Sequence, residues 1–139
     1  MDSEPNDQPG VALARAIYEA LADDSTPLDD LVDGAALIVG FPQVAGGADR
    51  GGDGLRRAIA AYRSQFQDFG LEVLEIKARP ERVLVRLRLG GLGLSGARIA
   101  HEAFHVLTVS DRRCRRIEAF ESGSEAAGAA GLDGARDGP

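Results

Sequence analysis

In the first half of the chain, hydrophobic positions recur with the period of an α-helix. In residues 10–24 they fall on Leu13, Ile17 and Leu21, one every four positions, which predicts an amphipathic helix. Residues 53–69 carry the strongest such pattern, because hydrophobic and aromatic side chains recur every three or four positions. For this longer helix we expect an N-cap at Asp53, an end at Gly70, and an apolar face of Leu55, Ile59, Tyr62, Phe66 and Phe69.

The segment between these two helices combines turn residues with a short hydrophobic run. The stretch STPLDDLVDGA predicts a short helix that ends near Gly34, since Pro27 suits a first helical position. Residues 35–42 are hydrophobic and end in glycine and proline, which indicates a short strand. Residues 43–52 are rich in glycine and are expected to form a loop.

After residue 70 the alternation has the period of two that is typical of β-strands. Four segments show it and predict successive antiparallel strands: 71–78, 82–89, 98–109 and 114–121. The turns between them are expected at Pro80-Glu81, in the glycine stretch that follows residue 89, and at Ser110-Asp111-Arg112. Helices followed by an antiparallel sheet indicate an α+β domain in which the sheet curves around the helices and leaves a cavity.

Length and composition indicate one globular domain. The chain has 139 residues, 44% of them hydrophobic and 27% charged. We expect a disordered N-terminus over residues 1–9, the domain over 10–123, and a flexible Gly/Ala-rich tail over 124–139, with at most one helical turn after residue 121. The single cysteine, Cys114, excludes a disulfide framework and a cysteine-based zinc site.

The charge of the chain limits its partners. The net charge of −6 repels phosphate backbones and anionic lipids, so neither nucleic acid nor a membrane is expected as the main partner. The arginine-rich segment 112–116 is interpreted as a solvated hairpin end. The N-terminus has no signal-peptide pattern and no apolar run reaches about 20 residues, which favours a cytoplasmic protein.

Residues 89–96, LGGLGLSG, contain the glycine spacing of a dinucleotide-binding turn. That motif needs a helix directly after the glycines and enough chain to complete a doubly wound sheet. Too few residues follow Gly96, and the segment after it has the pattern of a strand. We therefore interpret the glycines as a bulge and turn at which backbones approach closely, and we expect no nucleotide or other cofactor.

The two histidines, His101 and His105, have the spacing of a helical metal-binding pair. They lie on a predicted strand, however, where positions four apart are separated by about 13 Å. Two side chains at that separation cannot share one metal ion. We therefore expect no metal site.

The order of these segments resembles a known family, most specifically in HVLTVSDRRCRRIEAF. The chain is similar over residues 10–132 to the SnoaL-like family of the nuclear transport factor 2-like (NTF2-like) superfamily. In the matching hairpin Arg112 stands where the family has glycine, and Cys114 where it has isoleucine. The resemblance implies a conical fold, commonly dimeric, whose helices and mainly antiparallel sheet enclose a pocket for a small apolar or polycyclic molecule.

The resemblance also implies roles for individual residues. His105 takes the position at which isomerases and cyclases of the superfamily carry a catalytic aspartate, which suggests a general base oriented by Glu121 or Tyr18. The alternative is a buried histidine bonded to a neighbour. Phe41 stands where many catalytic members carry an acid, which counts against an isomerase mechanism. The expected pocket residues are Tyr18, Phe41, Tyr62, Phe66, Leu87, His101, His105, Leu107 and Ile117.

Three functions remain open at this point. The first is a pocket protein that binds a small apolar or polycyclic molecule, and the second is a cofactor-independent isomerase, cyclase or dehydratase. The third is a non-catalytic dimerisation module. We expect a homodimer through the sheet face opposite His105, where apolar and charged side chains mix, namely Leu84, Arg86, Arg88, Glu102, Phe104, Val106, Glu118 and Phe120.

Overall fold

The computed structural model describes residues 9–23, 26–41 and 48–131. Three helices are present in this part of the chain: α1 (Pro9–Asp23), α2 (Gly51–Arg63) and α3 (Gly123–Ala130). Five longer strands and one of three residues form a single open sheet: β1 (Val32–Val39), β2 (Ala48–Arg50), β3 (Phe66–Ala78), β4 (Arg82–Gly93), β5 (Arg98–Ser110) and β6 (Arg113–Phe120). The predicted α+β class is confirmed.

The sheet has the strand order β2-β1-β6-β5-β4-β3. Every neighbouring pair is antiparallel except β1 and β6, which are parallel. The helices α1 and α2 cover one face, which we call the inner face, and α3 packs on the opposite, outer face. Alternation places every second residue of β5 on the inner face, including the buried Ala103, His105, Leu107 and Val109.

The segment after α1 forms a turn where the sequence indicated a short helix. The amides of Leu31 and Val32 both bond to the carbonyl of Leu28 at 2.9 Å, and β1 begins at Val32. The chain is drawn into the sheet here, because Val32 pairs with Cys114 and the Cys114 amide donates to the Leu31 carbonyl at 2.8 Å. The strand predicted over 35–42 therefore starts earlier than expected.

The predicted loop over residues 43–52 lies partly outside the described residues. The part of this segment that the structure describes is not a loop. Ala48–Arg50 form β2, which pairs with β1, and α2 begins at Gly51.

The helix α2 ends well before Gly70, and the prediction of a helix over 53–69 is wrong at both ends. Arg50 occupies the N-cap position instead of Asp53, and Ser64 forms the C-cap. Phe66 and Phe69 belong to β3, where they pair with Gly93 and Gly91 of β4. Aromatic residues suit a strand at least as well as a helix, so tertiary pairing decides their conformation.

A helix of eight residues follows β6, which is longer than the single turn expected there. The Ser122 side chain caps it by accepting from the Glu125 amide, and Gly131 ends it with a left-handed φ of 77°. The predicted disordered N-terminus lies outside the described residues except for Pro9, which begins α1. The predicted tail beyond Gly131 also lies outside them.

The glycine stretch continues β4 and turns into β5, as interpreted from the sequence. Gly91 has a φ of 149°, and a Cβ there would collide with the Asp68 carbonyl of β3. A Cβ at Gly90 would collide with the Ile99 carbonyl of β5 on the other side. The glycines thus let three backbones approach closely, and a strand follows them where a nucleotide-binding turn would need a helix. In the described residues, no helix is long and apolar enough to cross a membrane.

Candidate functional site

A tyrosine–histidine pair lies at the centre of the inner face. Tyr18 comes from the buried stripe of α1 and His105 from the middle of β5. The Tyr18 hydroxyl and His105 Nδ1 are 2.6 Å apart, which is a short hydrogen bond. The helix α1 packs against β3 and β4 and so brings together two residues that are far apart in sequence.

Burial keeps both members of this pair neutral. Desolvation lowers the pKa of His105 from 6.5 to about 3, so the imidazole carries no charge at neutral pH. Burial also raises the pKa of Tyr18 well above its usual value, with a smaller contribution from the nearby Cys114. The pair therefore consists of a phenol and a neutral imidazole.

An aromatic ring covers His105 on another side. The centroids of the Phe41 and His105 rings are 4.9 Å apart, and neither residue is more than 1% exposed. His105 Nε2 is buried and has no hydrogen-bond partner among the described residues. One ring nitrogen of His105 is thus bonded to Tyr18, while the other faces an apolar environment.

A cleft of about 380 Å³ opens beside this buried group. Tyr62 and His101 lie on its wall with ring centroids 6.3 Å apart. Burial raises the pKa of Tyr62, and the negative charge of Glu121 raises it further. The residues that line the cleft are Gly40, Tyr62, Gln65, His101, Glu102, Ala103, Ala119, Phe120 and Glu121.

The cleft and the buried pair are adjacent. Ala103 lies two positions before His105 on the same face of β5, and Ala119 is the strand partner of His105 on β6. Gly40 precedes Phe41 in the chain. Three cleft residues therefore border the group formed by Tyr18, Phe41 and His105, which we call the inner group.

The residues singled out in the sequence divide into three sets, apart from Phe66, which lies on β3 and does not line the cleft. Tyr18, Phe41 and His105 form the inner group, and Tyr62, His101 and Glu121 lie on the cleft. Leu87, Leu107 and Ile117 are fully buried in the aliphatic core.

Of the two residues expected to orient His105, Tyr18 is the one that bonds to it, whereas Glu121 is exposed at the cleft near Tyr62. Phe66 lies on β3, where its ring packs 5.8 Å from that of Phe69. The sequence did not indicate Gly40, Gln65, Ala103 or Ala119 as cleft residues, because small or common polar side chains carry no chemical signal of their own.

The described residues contain no group of three or more His, Cys, Asp and Glu side chains that could hold a metal ion. His101 and His105 share a face, but His101 is exposed beside Tyr62 while His105 is buried beside Tyr18.

No protein-family model matches the sequence, and no curated protein matches it. The fold, however, matches solved structures. It superposes on a protein from Jannaschia sp. CCS1 that is named as a SnoaL-like polyketide cyclase, with a TM-score of 0.68 and 14% identity over 95% of this chain and 97% of that one. The chain has the NTF2-like fold.

Two further structures with this fold have TM-scores of 0.67 and cover 88% of this chain and 98% of theirs. One is an NTF2-like protein of unknown function from Burkholderia pseudomallei K96243, at 19% identity. The other is TerC co-crystallised with polyporic acid, at 18% identity. At these identities the comparisons establish the NTF2-like fold, and the residues of the cleft have to carry any statement about function.

Proposed function

We propose that this protein binds a small apolar or polycyclic molecule in the cleft between α2 and the sheet. The cleft volume of about 380 Å³ carries the proposal. Ligand sites commonly have volumes of roughly 300–1,000 Å³ and combine apolar walls with a few polar groups. Here alanines and aromatic rings form walls, and Tyr62, His101 and Glu121 supply the polar groups.

The structural neighbours support the same class of ligand. TerC was co-crystallised with polyporic acid, and other neighbours are named as SnoaL-like polyketide cyclases. We extend from these proteins to this chain only the general property of holding a small organic molecule. A cytoplasmic location likewise remains a prediction from the sequence.

The test is a fluorescence titration with N-phenyl-1-naphthylamine, an uncharged polycyclic probe. We expect saturable binding to the full chain and at least a tenfold loss in the His101→Trp variant, because His101 is exposed and an indole there fills the cleft. Ser95→Trp is the matched control, since Ser95 is exposed in the β4–β5 turn and does not line the cleft. Equal binding by both variants would place the probe elsewhere and contradict the proposal.

A second candidate function is cofactor-independent isomerisation, cyclisation or dehydration with His105 as the general base. The position of the neutral imidazole next to the cleft favours it, because an uncharged histidine can accept a proton. The pKa of about 3 counts against it, because it makes this imidazole a weak base at neutral pH. A test is the exchange of the α-protons of 2-tetralone in D₂O, followed by NMR. Catalysed exchange that is lost in His105→Ala, with probe binding kept, would support the enzyme. Background exchange in both proteins would exclude this activity for that ketone.

We also propose a homodimer, but through less of the outer face than the sequence indicated. Leu84, Phe104, Val106 and Phe120 pack against α3, so this apolar half of the face is already covered. The other half carries the Arg86–Glu102 and Arg88–Glu72 ion pairs. It also contains a depression of about 350 Å³ that is lined in part by Gly70, Gly90 and Ala100. This uncovered half is the surface that we assign to a second copy of the chain.

A further inference from the structure

We infer that His105 presents an Nε2–H donor to the inner end of the cleft and that this donor holds a carbonyl oxygen of the ligand. The inference rests on the proposed function, because a ligand must first enter the cleft. It assigns His105 a role opposite to that of a general base. It also narrows the ligand to apolar molecules that carry a ketone, aldehyde or quinone oxygen.

The hydrogen bond to Tyr18 determines which nitrogen of His105 carries the proton. A neutral imidazole has one N–H donor and one acceptor nitrogen, and a phenol has one O–H to donate. The Tyr18 hydroxyl has His105 Nδ1 as its one hydrogen-bond partner among the described residues. If Tyr18 donates to Nδ1, its own hydrogen is used and Nε2 must carry the ring proton.

The reverse arrangement leaves more groups unsatisfied. If Nδ1–H donated to the Tyr18 oxygen, the Tyr18 hydrogen would be buried without an acceptor, and Nε2 would be a buried acceptor without a donor. With Tyr18 as the donor, the Nε2–H alone is unsatisfied among the described residues. Unsatisfied buried polar groups are costly, so the tautomer with one of them is favoured over the tautomer with two. The low pKa of His105 keeps the imidazole neutral, so only one of its two nitrogens carries a proton.

The remaining Nε2–H lies in apolar surroundings next to the cleft. Phe41 covers the ring, and Ala103 and Ala119 flank His105 while lining the cleft. A buried donor of this kind gains a hydrogen bond when a ligand oxygen reaches it. His105 is fully buried and does not itself line the cleft, so a side chain packed against it has to move before a ligand can contact Nε2. We expect this side chain to be Phe41, whose ring centroid lies 4.9 Å from that of His105.

The same surroundings specify the kind of oxygen. A carboxylate or phosphate would have to lose its hydration beside a neutral donor that cannot balance its charge, which is costly in an apolar site. A ketone, aldehyde or quinone oxygen loses little hydration and needs only one donor. Around Nε2, apolar neighbours and one neutral N–H therefore favour a carbonyl on an apolar skeleton, while the polar groups of the cleft lie farther out.

The tautomer can be measured directly in the ligand-free protein. With ¹⁵N-histidine labelling, two-bond ¹H–¹⁵N correlation spectra at pH 7 distinguish a protonated ring nitrogen from an unprotonated one. The chain has only two histidines, so a His101→Asn variant assigns the spectrum. We expect His105 to show an unprotonated Nδ1 and a protonated Nε2. A protonated Nδ1 in His105, with or without a proton on Nε2, would overturn the inference and leave the proposed function standing.

The ligand class is tested with 9-fluorenone and fluorene, which share a skeleton and differ by the carbonyl. We expect the ratio of their affinities to favour fluorenone by about three- to tenfold more in the wild type than in His105→Leu, the range given by one net hydrogen bond. Comparing ratios cancels the different water solubility of the two compounds. The infrared carbonyl stretch of bound fluorenone should move to lower frequency in the wild type only.

Two further variants test the fluorenone preference independently of His105→Leu. If His105→Leu fails to fold by circular dichroism, Tyr18→Phe replaces it, because losing the Tyr18 hydroxyl frees Nδ1 and should reduce the fluorenone preference. A Phe41→Ala variant should strengthen fluorenone binding by opening the path to Nε2. Equal ratios in wild type and variant would overturn the inference while fluorene binding upholds the proposed function. Binding of neither compound would overturn both.

Discussion

The burial of His105 connects the stability of the fold to pH. Its pKa is about 3 in the folded chain and near 6.5 when the ring is hydrated. Between these values the unfolded chain binds a proton that the folded chain does not, so the free energy of unfolding rises with pH in this range and levels off above about pH 7. The slope is about 1.4 kcal/mol per pH unit, which predicts a loss of about 2 kcal/mol between pH 7 and pH 5.

Urea unfolding at pH 7, 6 and 5 measures this slope. Asp33 and Glu102 also have lowered pKa values, Asp33 chiefly through the Ala35 amide and Glu102 chiefly through its hydrogen bond from Arg86. Their usual pKa values are 3.8 and 4.5, so they affect stability mainly below the range of this experiment. His101→Asn should keep the slope and His105→Gln should abolish it. Constant stability from pH 7 to pH 5 in the wild type would contradict the prediction.

Arg112 is a residue whose backbone conformation favours glycine. In the turn between β5 and β6, Asp111 and Arg112 have φ values of 53° and 67°. Two residues of positive φ form the turn that suits a two-residue hairpin, in which glycine is preferred at the second position. We expect Arg112→Gly to raise the free energy of unfolding by about 0.5 to 1 kcal/mol, since relief of the strain exceeds the added flexibility of the unfolded chain.

The neighbouring arginine provides the control for this substitution. Arg113 is also exposed but lies in β6. Arg113→Gly removes the same charge and should lower stability by about 0.5 to 1 kcal/mol, because glycine weakens a strand. Equal effects of the two substitutions in urea unfolding would show that charge, rather than backbone conformation, determines the change.

At the scale of secondary-structure elements, the close packing of β3, β4 and β5 depends on Gly91. A methyl group at Gly91 would collide with the Asp68 backbone, and the φ of 149° is strained for any other residue. We expect Gly91→Ala to lower the free energy of unfolding by about 3 kcal/mol or more, by the combined cost of overpacking and backbone strain. Gly70→Ala is the control, because the nearest backbone atom to its added Cβ is 4.0 Å away. Thermal unfolding followed by circular dichroism compares the two, and similar melting temperatures would contradict the prediction.

The helix α3 is stabilised by its N-cap and packs on the outer face through its alanines. Ser122 accepts from the Glu125 amide, and Ala126 and Ala130 are buried against the sheet. We expect Ser122→Ala to lower the free energy of unfolding by about 1 kcal/mol, the usual contribution of such a cap. Ser122→Asp retains a capping oxygen and should restore most of this loss. Hydrogen exchange at the amides of Ala126 and Ala127 should accelerate in the first variant only.

The sequence predicts the strands in the second half of the chain well, because their alternation of apolar and polar residues is compatible only with a β-strand. The residues of β4 alternate between buried aliphatics and arginines, and such a pattern fits only a half-buried strand. The end of α2 could not be predicted, because the helical spacing continues through Phe66 although β3 takes that residue. The turn after α1 was also missed. Val32, which follows this turn, pairs in parallel with β6, and local propensity does not encode such a tertiary contact.

The candidate site is predictable only in part, for a related reason. Alternation along β5 places His105 on the inner face and predicts its burial. Its bond to Tyr18 depends on how α1 is rotated against the sheet, which the spacing of Leu13 and Ile17 does not fix to within one residue. Glu121 lies just beyond the end of β6, where alternation no longer constrains the direction of a side chain.

At the scale of the whole molecule, α3 divides the outer face into two halves of different character. The half formed by Leu84, Phe104, Val106 and Phe120 is apolar and covered by α3. The other half, toward the glycine stretch of β4, is open, and its ion pairs, Arg86–Glu102 at 2.9 Å and Arg88–Glu72 at 3.2 Å, form within the chain. Their charges are therefore balanced before any partner arrives, which reduces the repulsion between two copies that each carry a net charge of −6.

We place the second copy of the proposed homodimer on the open half, where a depression lined by Gly70 and Gly90 adjoins the Arg88–Glu72 ion pair. Ala100 lines the depression and is exposed, so Ala100→Arg adds bulk and charge there without disturbing the core. We expect the wild type to sediment as a dimer at micromolar concentration and this variant as a monomer, since an unpaired buried charge opposes association. Ala97→Arg, in the exposed β4–β5 turn, adds the same charge outside the depression and should remain dimeric. A wild type that sediments as a monomer would exclude this interface, and the outer face would then serve only to hold α3.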